Sequence, residues 1–368
     1  MNRSGIEWCD HTWNPITGCL HGCPYCYARK MSVRFSGDIK RNKAAVNDYR
    51  LQQTPDGKNL YILDQAMLSE TGNSLVYPFG FEPTLHRYRF NTLEKLKMGN
   101  NIFVGAMADI FGEWVPDEWI SEIFGICQKY PIHNYLFLTK NPKRYWELED
   151  KGMLPAARNM WYGFSYTNND SEGWASKYGD KNNFVSVEPL LEDLRLFDEH
   201  ILCPAGKWVI IGAETGRNKT KIIPKNEWID KILKHCDKFQ IPVFMKDSLI
   251  PIVGEKNMRR EFPPQLQAKA VSPKMKKKLY DTCCVCKTFG KKSEMAALSV
   301  RTQRGEQPKQ FAFMCWNCFL EMCRRYEIQM PELAAFKEEA ACSGETEKDT
   351  WIQRQLWQYR EPPDRKGR

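Results

Sequence analysis

The chain has 368 residues, of which 42% are hydrophobic and 27% are charged, as is ordinary for a globular protein. No apolar run approaches the roughly 20 residues needed to span a bilayer, and the first residues lack the apolar core of a secretory signal. Fourteen cysteines without such a signal favour reduced thiols or metal ligands over a secreted disulfide framework. We therefore expect a cytoplasmic protein with no membrane partner.

The formal net charge of +9 is concentrated in one region. Residues 251–330 hold 16 Lys and Arg against 7 Asp and Glu, whereas residues 1–250 hold 31 against 30. The excess is centred on the run "SPKMKKK" at 272–278. A basic segment beside a nearly neutral body is typical of a nucleic-acid site, but also of a solvated linker. The charge alone leaves both interpretations open.

Along the chain, the first notable feature is a group of three cysteines in the segment "GCLHGCPYCYARK". Cys19, Cys23 and Cys26 have C-x3-C-x2-C spacing. Structural zinc usually takes two C-x2-C pairs, and a redox motif needs only one pair. Three thiolates from one loop suit an iron–sulfur cluster with one iron left open to another ligand. Nearby, Cys9 is interpreted as a small buried residue, and His21 lies inside the loop.

Short, nearly continuous apolar runs recur after the cysteines. Such runs are typical of strands buried on both faces of a parallel sheet. Helix-like segments lie at 116–130 and 225–239. With one further strand near the N-terminus, this alternation predicts an α/β fold, either a (β/α) barrel or a doubly wound sheet. The apolar runs are at 101–107, 135–140, 160–166, 183–189, 208–214 and 242–247.

The sequence pattern changes at two places along the chain. Residues 36–100 break the strand–helix rhythm, and we expect an irregular insertion there. After about residue 250, prolines and a lysine run indicate a domain boundary. The sequence therefore predicts a body at 1–250, a basic linker at 251–280, a cysteine-rich module at 281–330 and a helical tail at 331–368.

Polar residues stand at or just beyond the end of each predicted strand. In a barrel, the carboxyl ends of the strands form the mouth at which chemistry takes place. Strands end on polar residues in any fold, so each of these is a candidate site residue or simply a strand terminator. The residues are Asp109, Lys140, Ser165, Thr167, Asn168, Glu188, Glu214 and Lys246.

A second cysteine pattern lies near the C-terminus. Cys283 and Cys286 form one C-x2-C pair, and Cys315 and Cys318 form another after 28 intervening residues. This is typical of a four-cysteine zinc ribbon, and a second iron–sulfur cluster is the alternative. Hairpin-like segments between the pairs favour Zn²⁺, which would also let so small a module fold. Its basic flank over 272–304 suits a phosphate backbone, so nucleic acid is the expected partner.

The three-cysteine motif and a series of ordered blocks resemble the radical S-adenosylmethionine superfamily. More narrowly, the blocks resemble a phage-associated branch of that superfamily with no settled function. The resemblance covers about residues 5–250 and implies a partial (β/α) barrel, in the host cytoplasm if the chain is encoded by a phage. The blocks are "IEWCDHTWNPITGC", "MADIFGEWVP", "FLTKNP", "YGFSYTN", "FVSVEPLL", "VIIGAETG" and "VFMKD".

The resemblance also implies cofactors and roles. Cys19, Cys23 and Cys26 would hold a [4Fe–4S] cluster whose fourth iron binds S-adenosyl-L-methionine. An electron donor would then allow release of a 5′-deoxyadenosyl radical that takes a hydrogen atom from a substrate. The usual glycine-glycine-glutamate element is absent near Asp109, which is the candidate for the methionyl amine. The other cofactor-binding candidates are Tyr25 in the motif, Ser165, Thr167 and Asn168 at the ribose, Glu188 at ribose or substrate, and Glu214 in a glycine-rich turn.

Three functions follow from these patterns. The leading hypothesis is a radical S-adenosylmethionine enzyme that modifies or repairs nucleic acid. The second is the same chemistry on a peptide or a small molecule. The third is a non-catalytic nucleic-acid-binding protein with two zinc sites. The sequence leaves open the substrate, the hydrogen that is removed and the oligomeric state.

Overall fold

The computed structural model divides the chain between Ala270 and Val271 into two compact units. The boundary expected at residue 250 falls inside the first unit, because Phe262 and Leu266 are buried in its core. The predicted tail at 331–368 lies outside the described residues. The structure describes residues 4–24, 26–215, 222–271, 273–300 and 309–325.

Strands dominate the first unit, and most of its helices follow a strand. In chain order, its strands are β1 (His11–Trp13), β2 (Ile16–Thr17), β3 (Arg50–Gln53), β4 (Asn59–Leu63), β5 (Thr84–His86), β6 (Asn101–Val104), β7 (Asn134–Thr139), β8 (Met160–Ser165), β9 (Asn182–Val187), β10 (Val209–Ile211) and β11 (Val243–Met245). Its α-helices are α1 (Tyr27–Arg34), α2 (Ile39–Ala44), α3 (Asp117–Lys129), α4 (Lys143–Asp150), α5 (Asn226–Lys238) and α6 (Ile250–Val253). Its 3-10 turns are Arg87–Lys95, Arg195–Phe197, Asp247–Leu249, Glu255–Asn257 and Pro264–Ala270.

The main sheet has seven strands in the order β1-β6-β7-β8-β9-β10-β11, and all neighbours are parallel. The strands follow chain order without a reversal, so the sheet is a curled half-barrel rather than a doubly wound sheet. The six predicted strands and both predicted helices are confirmed. No helix in the described part of the chain is long and apolar enough to cross a bilayer.

The two faces of this sheet carry different side chains, because successive residues of a strand point to opposite sides. On the outer face, Val185 and Val187 pack into a large core that includes the apolar sides of α3 and α5. On the inner face, Phe184 packs with other large side chains and with Trp8. These side chains form a second core on the inner face of the half-barrel.

Three strands of the insertion at 36–100 form a second regular sheet together with β2, which comes earlier in the chain. The order is β2-β5-β4-β3, in which β4 and β5 are parallel and the other pairs are antiparallel. Its own small core includes Tyr61 stacked on Phe79, with ring centroids 3.9 Å apart. The expectation of an irregular segment missed this sheet, because its strands are only two to five residues long.

The second unit is small. It contains two antiparallel hairpins, β12 with β13 and β14 with β15, beside a core that includes Met295, Met314 and Phe319. Its elements are α7 (Pro273–Leu279), β12 (Tyr280–Thr282), β13 (Phe289–Lys291), a 3-10 turn (Lys292–Glu294), β14 (Met295–Val300), β15 (Lys309–Cys315) and α8 (Trp316–Arg325).

Candidate functional site

The three-cysteine loop, residues 18–26, lies at the carboxyl edge of the main sheet. It follows β1 and β2, and the Gly18 N–H donates to the carbonyl oxygen of Met107 at 2.9 Å. Gly18 also pairs with Ala108 in an isolated parallel bridge. Both partners lie in the segment that leaves β6. The loop is therefore attached to the edge at which parallel-sheet proteins bind ligands.

The insertion supports the same loop from another side. The Cys19 N–H donates to the carbonyl oxygen of Phe81 at 3.2 Å. Gly18 has φ of +87°, and a Cβ there would lie 2.3 Å from the carbonyl oxygen of Glu82. Only glycine has both this backbone freedom and the missing Cβ. Contact between the loop and the insertion thus depends on Gly18.

Asp109 fastens the loop to the ends of two strands. It is 5% exposed, and its Oδ2 lies 2.7 Å from Nε2 of His21 and accepts the Lys140 N–H at 2.8 Å. Its Oδ1 accepts the Phe111 N–H at 3.0 Å. The His21 ring also packs edge-on against Trp114, with centroids 4.9 Å apart. Asp109 was predicted to bind cofactor, and the structure gives its carboxylate three donors from the chain itself.

The thiols of the loop are all free, and each is partly exposed. Burial raises the pKa of Cys19 to about 12, although the His21 N–H lowers it in part. Burial likewise raises the pKa of Cys23, against the attraction of Lys140. The metal ligand is the thiolate, so iron would displace the protons from these thiols on binding.

The number and spacing of the loop cysteines suit an iron–sulfur cluster. A single ion needs ligands that converge on one point. In an iron–sulfur cluster, each cysteine bonds a different iron, so the sulfur atoms stand around a larger object. The donor set of three cysteines thus suits such a cluster.

Polar residues occupy the inner face where the strands end. Ser165 of β8 stands beside Ser186 of β9 in the sheet register. Two residues further, Glu188 Oε2 accepts from Nζ of Lys246 at 2.9 Å. A Cβ on Gly212 would meet both of these side chains, at 3.3 and 3.1 Å, so glycine leaves room for the pair. Three of the predicted polar residues, Ser165, Glu188 and Lys246, therefore lie at the carboxyl ends of the strands on the inner face of the sheet.

The Glu188–Lys246 pair is only partly satisfied. Its side chains are 21% and 25% exposed. Burial lowers the pKa of Lys246, but the Glu188 carboxylate outweighs it and leaves the pKa raised. Oε1 of Glu188 is buried, and no hydrogen-bond partner for it is found in the described part of the chain. Such an oxygen can accept a hydrogen bond from a ligand at low cost.

The remaining predicted residues are more dispersed. Thr167 is buried, and Asn168 accepts the Ser171 hydroxyl at 2.7 Å within its own turn. Glu214 is half-buried after β10. Tyr25 lies outside the described residues.

Tyr27 belongs to the site and was missed by the sequence analysis. Its hydroxyl donates to the carbonyl oxygen of Ala106 at 2.9 Å. Partial desolvation beside the loop raises the pKa of Tyr27 to about 12, and the charges of Cys26 and Glu188 add to the effect, while the side chain as a whole stays 56% exposed. Tyr27 thus connects the loop with the mouth. Its position directly after Cys26 was the available signal.

Four cysteines of the second unit form a compact metal-binding group. The ligand atoms of Cys283, Cys286, Cys315 and Cys318 all lie within 4.8 Å of one another. The N–H of the neighbouring Cys284 donates to the carbonyl oxygen of Phe313. The pair in this segment is Cys283 with Cys286, and the adjacent Cys284 is not part of the group.

Backbone N–H groups near this group favour the thiolate of Cys283. The Lys287 N–H donates to the carbonyl oxygen of Cys283, and Lys287 has φ of +62° at the turn. Burial raises the pKa of Cys283, but N–H groups of Cys315, Cys286 and Val285 together lower it to about 7. Four thiolates suit zinc and an iron–sulfur centre alike.

Solved structures of spore photoproduct lyase are similar to this chain at low identity. A variant with one cysteine changed to serine is 12% identical over 66% of this chain and 78% of that chain, with a TM-score of 0.36. A doubly substituted variant with bound AdoMet and dinucleoside spore photoproduct is 11% identical over 64% and 75%, with a TM-score of 0.35. No curated protein matches this chain.

A family model matches residues 3–277, well over half of the 368 residues. The match includes the three-cysteine loop and all seven strands of the main sheet, and it ends before the four-cysteine group. The chain therefore belongs to the family described as Protein of unknown function (DUF5131).

Proposed function

We propose that the first unit is a radical S-adenosylmethionine enzyme. One observation carries the proposal: a loop with three free cysteines is attached to the carboxyl edge of a parallel half-barrel, beside a polar mouth. Three thiolates at such an edge are the donor set of a cluster with one open iron. The sequence blocks that resemble the superfamily support the same conclusion.

Cys19, Cys23 and Cys26 would hold a [4Fe–4S] cluster with S-adenosyl-L-methionine at its open iron. When bound, this group supplies one-electron chemistry that ends in removal of a hydrogen atom from a substrate. The chain contributes the placement, because Asp109 and His21 hold the loop against the ends of β6 and β7. Fixed placement of reacting groups is a large part of what a protein adds to such chemistry.

The mouth would bind and orient the reacting molecules. Glu188 Oε1 is free to accept a hydrogen bond from a hydroxyl or amino group of the cofactor or substrate. The other oxygen of that carboxylate, Oε2, accepts from Nζ of Lys246, which holds the side chain in place. Below them, Trp161 and Phe184 close the floor of the half-barrel and exclude water from the reaction.

We further propose that the substrate is nucleic acid, brought by the second unit. Lys274, Lys277 and Lys278 of α7 are exposed on one short helix. Clustered lysines gain affinity for phosphates by releasing counterions, so binding should weaken steeply as salt is raised. Zn²⁺ at the four-cysteine group would stabilise the unit, and an iron–sulfur centre there is the alternative.

Cleavage of S-adenosylmethionine tests the enzyme proposal. The reconstituted protein, reduced without oxygen, should form 5′-deoxyadenosine, and Cys26→Ala should abolish it. Cys203→Ala is the matched control, because Cys203 is exposed and distant in sequence from the loop. Greater formation with DNA or RNA than with peptides supports a nucleic-acid substrate. Greater formation with peptides favours the second hypothesis, and none under any condition favours a non-catalytic zinc protein.

A further inference from the structure

Helix α1 presents an unusual surface immediately beside the three-cysteine loop. It starts directly after Cys26 and buries only its two small side chains, Ala28 and Ser32. Large apolar side chains on the rest of its surface are 42% to 58% exposed. We call this surface the α1 face, formed by Tyr27, Lys30, Met31, Val33, Arg34 and Phe35.

The α1 face is positively charged. Residues 11–37 contain three Lys and Arg and no Asp or Glu. Arg29 is engaged with the body, since its guanidinium lies 4.9 Å from the centre of the Phe81 ring. Lys30 and Arg34 are exposed one turn apart, and Arg34 stacks on the ring of Phe35 at 5.3 Å. An acidic partner would find opposite charge here.

The composition of this face favours a protein partner over nucleic acid. Tyrosine, phenylalanine, methionine and arginine are enriched in the buried centres of protein interfaces. A phosphate backbone is instead bound mainly through Lys, Arg and polar groups. Exposed Met31 and Val33, at 42% and 58%, add apolar area that phosphates do not use. Clustered exposed apolar side chains of this kind mark interaction sites.

We propose that the α1 face is the docking site of the electron donor, a small acidic protein that carries one electron on a flavin or an iron–sulfur centre. This rests on the proposed function, because it requires a cluster on the loop. Cys26 precedes α1 directly, so a protein seated on the face lies next to that cluster. One electron leaves the reduced carrier, which is oxidised, and enters the cluster, which is reduced. No proton or group is transferred in the step.

The test compares two routes of cluster reduction in the reconstituted full chain. The variant Lys30→Glu/Arg34→Glu reverses the exposed charges of the α1 face, and Met31→Asp disrupts its apolar part. Lys234→Glu/Lys238→Glu is the matched control, with the same spacing and charge change on exposed residues of α5. Stopped-flow absorbance measures reduction by a photoreduced flavodoxin, an acidic one-electron carrier, and separately by dithionite.

We expect the flavodoxin rate constant to fall about tenfold or more in the charge-reversed variant at low salt, since steering by charge changes association rates by 10 to 10³. Dithionite reduction and the α5 control should be unchanged. An unchanged flavodoxin rate in both α1 variants overturns the proposal. So does loss of oligonucleotide binding, or a change in oligomeric state, without a change in that rate. If dithionite reveals no reducible cluster in the unchanged protein, the proposed function itself fails, and the docking site with it.

Discussion

At the residue scale, Asp109 is the residue on which the position of the three-cysteine loop depends most. Asp109→Asn removes the charge that accepts from His21 and turns an amide N–H toward the backbone donors of Lys140 and Phe111. A buried donor left unpaired costs about 1–3 kcal/mol. We expect a fall of that size in the free energy of unfolding, with less iron retained after reconstitution. Asp64→Asn, at a half-exposed surface pair, should change neither measurement.

Substitutions at two glycines of the loop distinguish two costs: that of a left-handed backbone, and that of a Cβ that clashes with the insertion. Gly18 and Gly22 both have positive φ, but a Cβ on Gly18 would clash with Glu82 whereas one on Gly22 meets nothing within 4 Å. Gly22→Ala should cost about 1–2 kcal/mol from its left-handed backbone alone. Gly18→Ala should cost clearly more and release the loop, as measured by denaturant unfolding and by alkylation of Cys23. Equal costs would mean that the contact with the insertion is unimportant.

The two cysteine groups show which site residues a sequence predicts. Spacing alone predicted Cys19, Cys23 and Cys26 as candidate ligands, and it also predicted the four cysteines that converge in the second unit. Nearby cysteines on one loop appear as a local pattern. The partnership of His21 with Asp109 joins residues 88 positions apart, and no local pattern encodes it. The same holds for Glu188 and Lys246, which were each named as strand ends but not as a pair.

At the element scale, a buried ion pair ties the segment before β9 to α4. Lys181 and Glu149 have side chains 4% and 0% exposed, and Nζ lies 3.1 Å from Oε1. Lys181→Met leaves the Glu149 carboxylate buried without its partner, which typically costs 3–5 kcal/mol. Lys177→Met breaks a nearby surface pair with Asp150 and should cost about 0–1 kcal/mol. Urea unfolding of both variants checks the difference, and similar values would contradict this account.

His86 at the end of β5 should make stability depend on pH. It is fully buried, and Nε2 lies 2.8 Å from the Thr17 hydroxyl. Burial lowers the pKa of His86 well below 6.5, so the folded state keeps the ring neutral while the unfolded state takes up a proton near pH 6.5. Because the unfolded state then binds more protons, stability is lost as pH falls below about 6.5, by up to about 1.4 kcal/mol per pH unit.

The measurement is denaturant unfolding between pH 5 and pH 8. His86→Gln should remove part of the slope below pH 6.5, whereas His200→Gln, at an exposed position, should leave the slope as it is. A slope that survives in His86→Gln would show that other groups cause it.

Regular elements were predictable where they were long and uniformly apolar. The runs of β6 to β9 and the amphipathic pattern of α3 and α5 gave correct positions. The sheet of the insertion was missed, because strands of two to five residues carry too few side chains to display a period. The insertion also supports the site through tertiary contacts, because Phe81 and Glu82 contact the three-cysteine loop. A local sequence pattern does not encode such contacts.

At the scale of the whole molecule, the sequence predicted a large α/β body and a small cysteine-rich module, and the structure divides the chain between Ala270 and Val271. The boundary differed because prolines were read as a linker, whereas Phe262 and Leu266 pack into the inner core of the body. The composition of a segment shows that it is rich in prolines or lysines. It does not show which residues of the body its few apolar side chains contact. A four-cysteine group, by contrast, predicts its own small unit, because the ligands must converge for any metal to bind.

The central claim is that the three-cysteine loop holds an iron–sulfur cluster. Its most direct test is the content of iron, sulfide and zinc per chain after reconstitution without oxygen, for the unchanged protein, for Cys19→Ala/Cys23→Ala/Cys26→Ala and for Cys203→Ala. We expect a four-iron cluster in the unchanged protein and in Cys203→Ala, its loss in the triple variant, and retention of the metal of the second unit in all three. Zinc at the loop, or iron and sulfide contents that are the same in the triple variant as in the unchanged protein, would contradict the claim.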